Sequence, residues 1–232
     1  MSASRLPGKP LLKINNKSII SHVFRKGEEA NIGDVVVATE DQEIFDDVIK
    51  SGGRAVLTNS KHKTGTDRIF EAFSLLNLKN IDLIMNIQGD EPQIDIKDII
   101  NLNNKMTKNQ SKLGTLASKI SELKMLQNEN VVKVKINQSF KKESFPSAKM
   151  FTRKTNDKEN IFHHIGIYCY EKNTLKNFVS LKQSQNEIKN KLEQLRALDN
   201  NIKVNVALAN SSPIGVDTKE DFLALKKIME YK

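Results

Sequence analysis

Short apolar, β-branched runs alternate with amphipathic stretches through the N-terminal half of the chain, and that alternation restricts it to folds built on a parallel sheet. Residues 34–39 (DVVVAT), 54–57 (RAVL) and 81–87 (IDLIMNI) are compact apolar runs of the kind buried on both faces of such a sheet. Between them lie three helical patterns. Residues 18–30 place apolar side chains at 19, 20, 23 and 24; residues 41–51 put Ile44, Phe45, Val48 and Ile49 on one face; residues 66–78 form the third. Asp41 is placed to cap the second helix, and Gly52-Gly53 ends it. Strand-helix-strand order of this kind implies right-handed crossovers and an α/β architecture.

The middle of the chain changes character. Residues 113–120, 131–136, 149–152 and 161–170 are strand-like, with polar connections at 139–147 and 155–160. Neighbouring strands with no helix between them predict an antiparallel lobe, at about residues 139–178, inserted into a mostly parallel sheet. A helix over 188–198, a strand over 202–208 and a helix over 219–231 complete the pattern. Residues 1–232 therefore read as a single domain carrying a strand-rich lobe.

Composition narrows the function. The formal charge of +9 raises nucleic-acid binding as a rival reading. Only six of the 37 basic residues are arginine (5, 25, 54, 68, 153 and 196), and the lysines are scattered without interleaved aromatics. That pattern argues against a nucleic-acid reader and suits attraction of a small anion. No apolar run is long enough to span a bilayer, and the N-terminus lacks the apolar core of a signal peptide. The single cysteine, Cys169, excludes an intramolecular disulfide and fits a reducing, cytoplasmic setting. It reads as a small hydrophobe inside a strand.

Four segments carry candidate chemistry. In Arg5-Leu6-Pro7-Gly8-Lys9-Pro10, two cations bracket a Pro-Gly turn, which is either a triphosphate cradle or a basic tail. Gln88-Gly89-Asp90-Glu91-Pro92 follows the strand ending at Ile87, where ligands sit in parallel sheets; Gly215-Val216-Asp217-Thr218 repeats the arrangement. Asp90 and Asp217 are thus either Mg²⁺ ligands, one or two carboxylates being the usual number, or turn caps. In Thr64-Gly65-Thr66-Asp67-Arg68, Thr66 is the candidate N-cap, and Arg68 stands in a first turn where a cation needs an anion beside it. Arg153, the run His163-His164-Ile165-Gly166-Ile167-Tyr168 and the run Glu193-Gln194-Leu195-Arg196 form the fourth. Arg153 suits a carboxylate fork; Glu193, Gln194 and His164 suit hydroxyls, with a satisfied strand histidine as the other reading of His164. Zinc-ligand spacing, a Walker A motif and a Ser-His-Asp order are all absent from the sequence.

Taken in order, the strings RLPGKPLL, IQGDEP, HHIGIYCY, EQLRAL and GVDT resemble the 3-deoxy-manno-octulosonate (Kdo) cytidylyltransferases, and the matches extend over nearly the whole chain. CMP-sialic acid synthetases are similar but usually lack this full set. The resemblance implies a Rossmann-like nucleotidyltransferase fold and the reaction CTP + Kdo → CMP-Kdo + pyrophosphate, which activates Kdo for lipopolysaccharide assembly. It implies that Arg5 and Lys9 hold the triphosphate, that Asp90 and Asp217 bind Mg²⁺, and that Lys9 acts with them in catalysis. Arg153, His164, Glu193 and Gln194 would hold the sugar acid, Gln88 would line its site, and Arg68 would line the CTP side. A homodimer built through the strand-rich lobe is implied as well. Other expectations in view are a CMP-sugar-acid synthetase for 8-amino-Kdo or sialic acid, and a non-catalytic basic protein that binds nucleotide or RNA.

The chain departs from the family in two places. Family members open with a buried strand leading into a Pro-Ala-Arg loop, and this chain begins just past that point. A version extended upstream by ~10 residues, the length of a strand plus a short loop, is expected to be more stable and more active. Residues 154–157 stand where the family places a Pro-containing turn.

Overall fold

The computed structural model describes residues 6–141, 143–213, 215–216 and 218–230. The chain divides into two compact units. One comprises Met1–Asn77, Ile87–Ile99 and Pro213–Lys232; the other comprises Leu78–Asn86 and Ile100–Ser212.

In the first unit a 3-10 turn, Lys9–Leu11, leads into an antiparallel hairpin of β1 (Lys13–Ile14) and β2 (Lys17–Ser18). Asn15 and Asn16 turn the hairpin at φ of 49° and 62°, a left-handed conformation that asparagine tolerates better than most residues. Ser18 then caps α1 (Ile19–Glu29), its hydroxyl accepting from Ser21 N at 3.2 Å. β3 (Val37–Thr39), α2 (Gln42–Lys50) and β4 (Ala55–Leu57) follow, and the two strands pair in parallel as the alternation requires. Asp41 caps α2 as expected, accepting from Glu43 N at 3.0 Å.

The helix α3 (Gly65–Leu76) corrects one expectation. Thr64 is its N-cap, accepting from Asp67 N at 3.2 Å, while Thr66 is buried inside the first turn. Ile20, Phe24, Val37, Ile44 and Val48 form one core cluster of this unit. Burial contributes about 1.5–3 kcal/mol for each large aliphatic or aromatic side chain of this kind. Ile14 and Ile19 form another cluster with Val216 and with Leu225 of the C-terminal helix Lys219–Glu230.

The second unit carries β5 (Leu83–Asn86), most of α4 (Ile96–Asn109), β6 (Leu113–Ser118), β7 (Lys133–Ile136), β8 (Ala148–Thr152) and β9 (Ile161–Glu171). It continues with α5 (Lys172–Ser180), α6 (Gln185–Asn190), α7 (Leu195–Asp199) and β10 (Asn205–Leu208). The six strands form one mixed sheet in which β9 is the hub. β6 runs antiparallel along β9, β5 pairs with the C-terminal part of β9, and β7 pairs with its N-terminal part. β10 lies parallel to β6, and β8 lies antiparallel to β7 at the sheet edge. Four strands (β5, β6, β7 and β10) therefore share one direction. The two reversed strands, β8 and β9, both fall in the segment expected to hold the antiparallel insertion.

A second correction concerns residues 188–198. They form the end of α6, a break, and α7, not one helix. The break sits at Lys191, whose φ of 52° is left-handed, and α6 starts earlier on a Ser184/Glu187 capping box. No described helix is long and apolar enough to cross a membrane.

Candidate functional site

Gly8 sits at φ 71°, ψ 9°, a left-handed conformation that glycine adopts without steric cost, and it opens the 3-10 turn. That turn carries Lys9 inward, where the residue is buried. Its ammonium donates to Asp90 Oδ2 at 2.6 Å, joining the first and second of the sequence-derived segments. Asp90 itself lies in the turn Gln88–Glu91, closed by Glu91 N donating to Gln88 O at 3.4 Å. The turn is also held from the C-terminal segment, because Val216 N donates to Asp90 O at 3.2 Å. Short backbone ties of this kind fix a carboxylate in advance of any ligand. Arg5 and Asp217 lie outside the described residues.

Glu91 stands inside the IQGDEP string, where no local pattern sets it apart from Asp90. Its Oε2 is buried with no hydrogen-bond partner among the described residues. Burial, and to a lesser degree the charge of Asp90, push its carboxyl up to about 8, against an opposing pull from Lys9. A carboxyl whose folded pKa is raised contributes stability that is present below its unfolded pKa of about 4.3 and is lost as pH rises through the folded value. Glu91→Gln should therefore lose less melting temperature than the parent chain between about pH 5 and pH 8.5, the difference reflecting a few kcal/mol. Parallel melting curves for the two proteins across that window would mean that Glu91 is ionised in the fold.

Arg68 needs an anion beside it, and the chain supplies one. Its Nη2 donates to Glu40 Oε2 at 2.5 Å, and its Nη1 donates to Thr58 Oγ1 at 2.7 Å. Glu40 follows β3 and Thr58 follows β4, so Arg68 ties together the carboxyl ends of the parallel pair, the edge at which such sheets bind ligands. The sequence hint of an anion at Arg68 is accounted for by Glu40.

In the second unit, His164 points into the core. Its Nε2 lies 3.0 Å from Thr115 Oγ1, and that hydroxyl donates to Ile167 O at 2.7 Å, so the imidazole is the donor of the pair. Burial, followed by the neighbouring His163, lowers its pKa to about 3, which keeps the ring neutral. The rings of Phe151 and Tyr168 pack on it at 5.1 and 5.5 Å. Cys169 is buried in the same strand as expected, its thiol pushed up to about 12 by burial.

Arg153 spends three donors on backbone carbonyls: Glu129 at 2.9 Å, Asn190 at 3.0 Å and Lys191 at 3.0 Å. Two of those carbonyls belong to the end of α6, where a cation also meets the negative end of the helix dipole. The remaining guanidinium hydrogens are the ones available to a carboxylate. Gln194 is buried at the N-cap of α7, and Glu193 is half-buried beside it. Arg196, grouped with them in sequence, instead forms a buried fork on Glu187 at 2.8 and 2.6 Å and stacks over Phe178 at 4.6 Å. It is a core element of this unit.

Two further residues here escaped the sequence. Lys133, fully buried in β7, donates to the carbonyls of Met125, Asn128, Val131 and Arg153. The available signal was a lone cation inside the apolar run VVKV. Glu187 could have been found from the spacing Ser184-x-x-Glu187, a capping box.

Comparison with known proteins adds an independent line. The family model described as Cytidylyltransferase matches residues 1–204. A 3-deoxy-manno-octulosonate cytidylyltransferase from Thermodesulfovibrio yellowstonii is 39% identical, with 98% of this chain and 94% of that protein covered. One from Afipia carboxidovorans is 40% identical, covering 99% and 93%. Among solved structures, a CMP:2-keto-3-deoxy-manno-octonic acid synthetase complexed with CTP superposes with a TM-score of 0.87 at 32% identity, over 98% of this chain and 94% of that one. An apo UDP-glucose pyrophosphorylase matches with a TM-score of 0.71 at 13% identity, covering 98% and 94%, and shares the fold.

Proposed function

The chain belongs to the 3-deoxy-manno-octulosonate cytidylyltransferase family, and on that footing we propose that it transfers CMP from CTP to Kdo with release of pyrophosphate. The observation that carries this reading is the near full-length likeness to a synthetase solved with CTP, joined to a buried Lys9–Asp90 pair in the segments that carry the resemblance.

In the reaction an oxygen of Kdo attacks the α-phosphorus of CTP in line. The new P–O bond forms as the bond to pyrophosphate breaks, and the attacking hydroxyl gives up its proton. Such transfers need positioning and charge compensation more than covalent help. Lys9, held inward by the Gly8 turn, places a compact positive charge for the triphosphate, with Arg5 as its partner in that task. Asp90 presents a hard, partly exposed carboxylate on a fixed turn, the donor type that Mg²⁺ takes; Asp90 and Asp217 would hold the ion. When bound, Mg²⁺ supplies compensation of phosphate charge. Arg68 steadies the strand ends on the nucleotide side, and Gln88 offers its amide to the sugar acid.

In the second unit Arg153 would meet the sugar carboxylate with its remaining donors, and Glu193 and Gln194 would meet hydroxyls. His164 would contribute through the packing of β9. A homodimer formed through the strand-rich segment is part of the same reading, supported by β8 at the sheet edge with Lys149 and Met150 exposed. So are a cytoplasmic setting and supply of activated Kdo to lipopolysaccharide assembly, with CTP and Kdo as the small-molecule partners. Pyrophosphate release from CTP that depends on Kdo is the test of the reading.

A further inference from the structure

Lys133 is the first residue of β7 and is fully buried, yet its ammonium reaches past the end of the strand it pairs with. Lys133 lies opposite Thr152, the last residue of β8, and its Nζ donates to the carbonyl of the residue that follows, Arg153. The same ammonium donates to Met125 O at 3.1 Å, Asn128 O at 2.9 Å and Val131 O at 2.7 Å. One side chain thus ties the backbone at Arg153 to the segment 125–131.

Arg153 is held at its other end too. Its Nη1 donates to Glu129 O at 2.9 Å, inside the segment that Lys133 secures, and its Nε and Nη2 donate to Asn190 O and Lys191 O, each at 3.0 Å. A fork with most of its donors engaged can meet a ligand only in the direction in which it is held, so both anchors count toward its aim. The surroundings also suit an anion. Besides the burial that lowers its pKa, the Lys133 ammonium feels Arg153 and Lys154 as like charges and Glu129 as an opposite one. The Glu129 carboxylate is already engaged by the Lys154 ammonium at 2.7 Å.

We infer that Lys133 is a positioning residue for the sugar acid: by fixing the backbone at Arg153 and the segment that carries Glu129, it aims the remaining guanidinium donors at the acceptor carboxylate. This rests on the reading of Arg153 as the carboxylate fork and deepens it.

The test measures pyrophosphate release by the full chain against Kdo at saturating CTP, and against CTP at saturating Kdo, at a temperature where each variant is folded by circular dichroism. Lys133→Met should raise the KM for Kdo at least about tenfold, within the ~100-fold that a misplacement of about 1 Å can cost, and leave the KM for CTP within about twofold. Arg153→Ala should raise the KM for Kdo at least as much. Adding Lys133→Met to Arg153→Ala should then raise it by less than about twofold more, because the two residues act as one unit. Lys133→Gln, which keeps an amide donor in place of the ammonium, carries the same comparison where the methionine variant does not fold. Equal rises in both KM values, or a full-sized rise persisting in the Arg153→Ala chain, would trace the effect to general packing and overturn the inference. So would an unchanged KM for Kdo in the Lys133 variants while Arg153→Ala raises it. An unchanged KM for Kdo in Arg153→Ala would overturn the reading of Arg153 itself, and the role of Lys133 with it.

Discussion

Asp90→Asn should lower turnover by at least about a hundredfold while shifting the melting temperature by no more than a few degrees. The substitution is isosteric and leaves an acceptor for the Lys9 ammonium, which now lies 2.6 Å from Oδ2. It also leaves the backbone of the turn untouched, including the bond from Val216 N to Asp90 O at 3.2 Å. What it removes is a formal negative charge at the place where the proposal puts Mg²⁺. Asparagine is a far weaker ligand for a hard divalent ion, and groups aimed at developing charge are each worth orders of magnitude in rate. Turnover measured against Mg²⁺ concentration separates the two roles of the residue. If Asp90→Asn kept near-parental rate at limiting Mg²⁺, Asp90 would be only the counter-ion of Lys9.

The second large effect is on stability. Lys133→Met should cost about 3–5 kcal/mol, seen as a melting temperature lower by roughly 10 °C in a chain of this size. The Lys133 ammonium lies 3.1 Å from Met125 O, 2.9 Å from Asn128 O and 2.7 Å from Val131 O, and also donates to Arg153 O. It is fully buried and faces carbonyls, not a carboxylate. Burial, followed by the charge of Arg153, lowers its pKa; Glu129 opposes the shift. Methionine fills a similar volume but donates nothing; Met125 O and Asn128 O keep the amides of Asn128 and Val131, while Val131 O and Arg153 O lose the Lys133 donor, each orphaned group costing about 1–3 kcal/mol. Part of that cost is offset by no longer burying a charge. The damage should spread to Arg153, whose carbonyl is one of the four and whose guanidinium holds Glu129, Asn190 and Lys191. A melting temperature within a degree or two of the parent would mean that the carbonyls find other donors and that the cage is incidental.

These two residues mark where sequence reading succeeds and where it stops. Asp90 was legible because a Gly-Asp turn directly after a buried apolar run is a local pattern, and local patterns survive in one dimension. The same holds for α1, α2 and the parallel pair of β3 and β4, whose apolar spacing and caps are contained in a few residues each. Lys9 was legible as a candidate, but its pairing with a residue 81 positions away is a product of the fold.

Lys133 was not legible as a cage. Its four acceptors come from the 3-10 turn Leu123–Leu126, the loop after it and Arg153 just past β8, and only tertiary packing collects them. Helix α4 is not legible in sequence because asparagine is a poor helix former, and this segment carries asparagine at 101, 103, 104 and 109. The helix is held instead by Ile99, Leu102 and Met106, all buried on one face. The apolar residues of 188–198 suit the period of one continuous helix. The left-handed turn at Lys191 is secured by Arg153 from far along the chain, which periodicity cannot report. His164 was legible as a strand histidine, and its bond to Thr115 came only with the register of β6 on β9.

The central claim is that this chain moves CMP from CTP onto Kdo, and the most direct test is release of pyrophosphate from CTP with Mg²⁺, comparing Kdo, 8-amino-Kdo and sialic acid as acceptors. The account predicts release that requires an acceptor, is fastest with Kdo and yields one CMP-Kdo for each pyrophosphate. Release confined to sialic acid would contradict the substrate, and no release with any acceptor, alongside tight salt-dependent RNA binding, would contradict the enzyme.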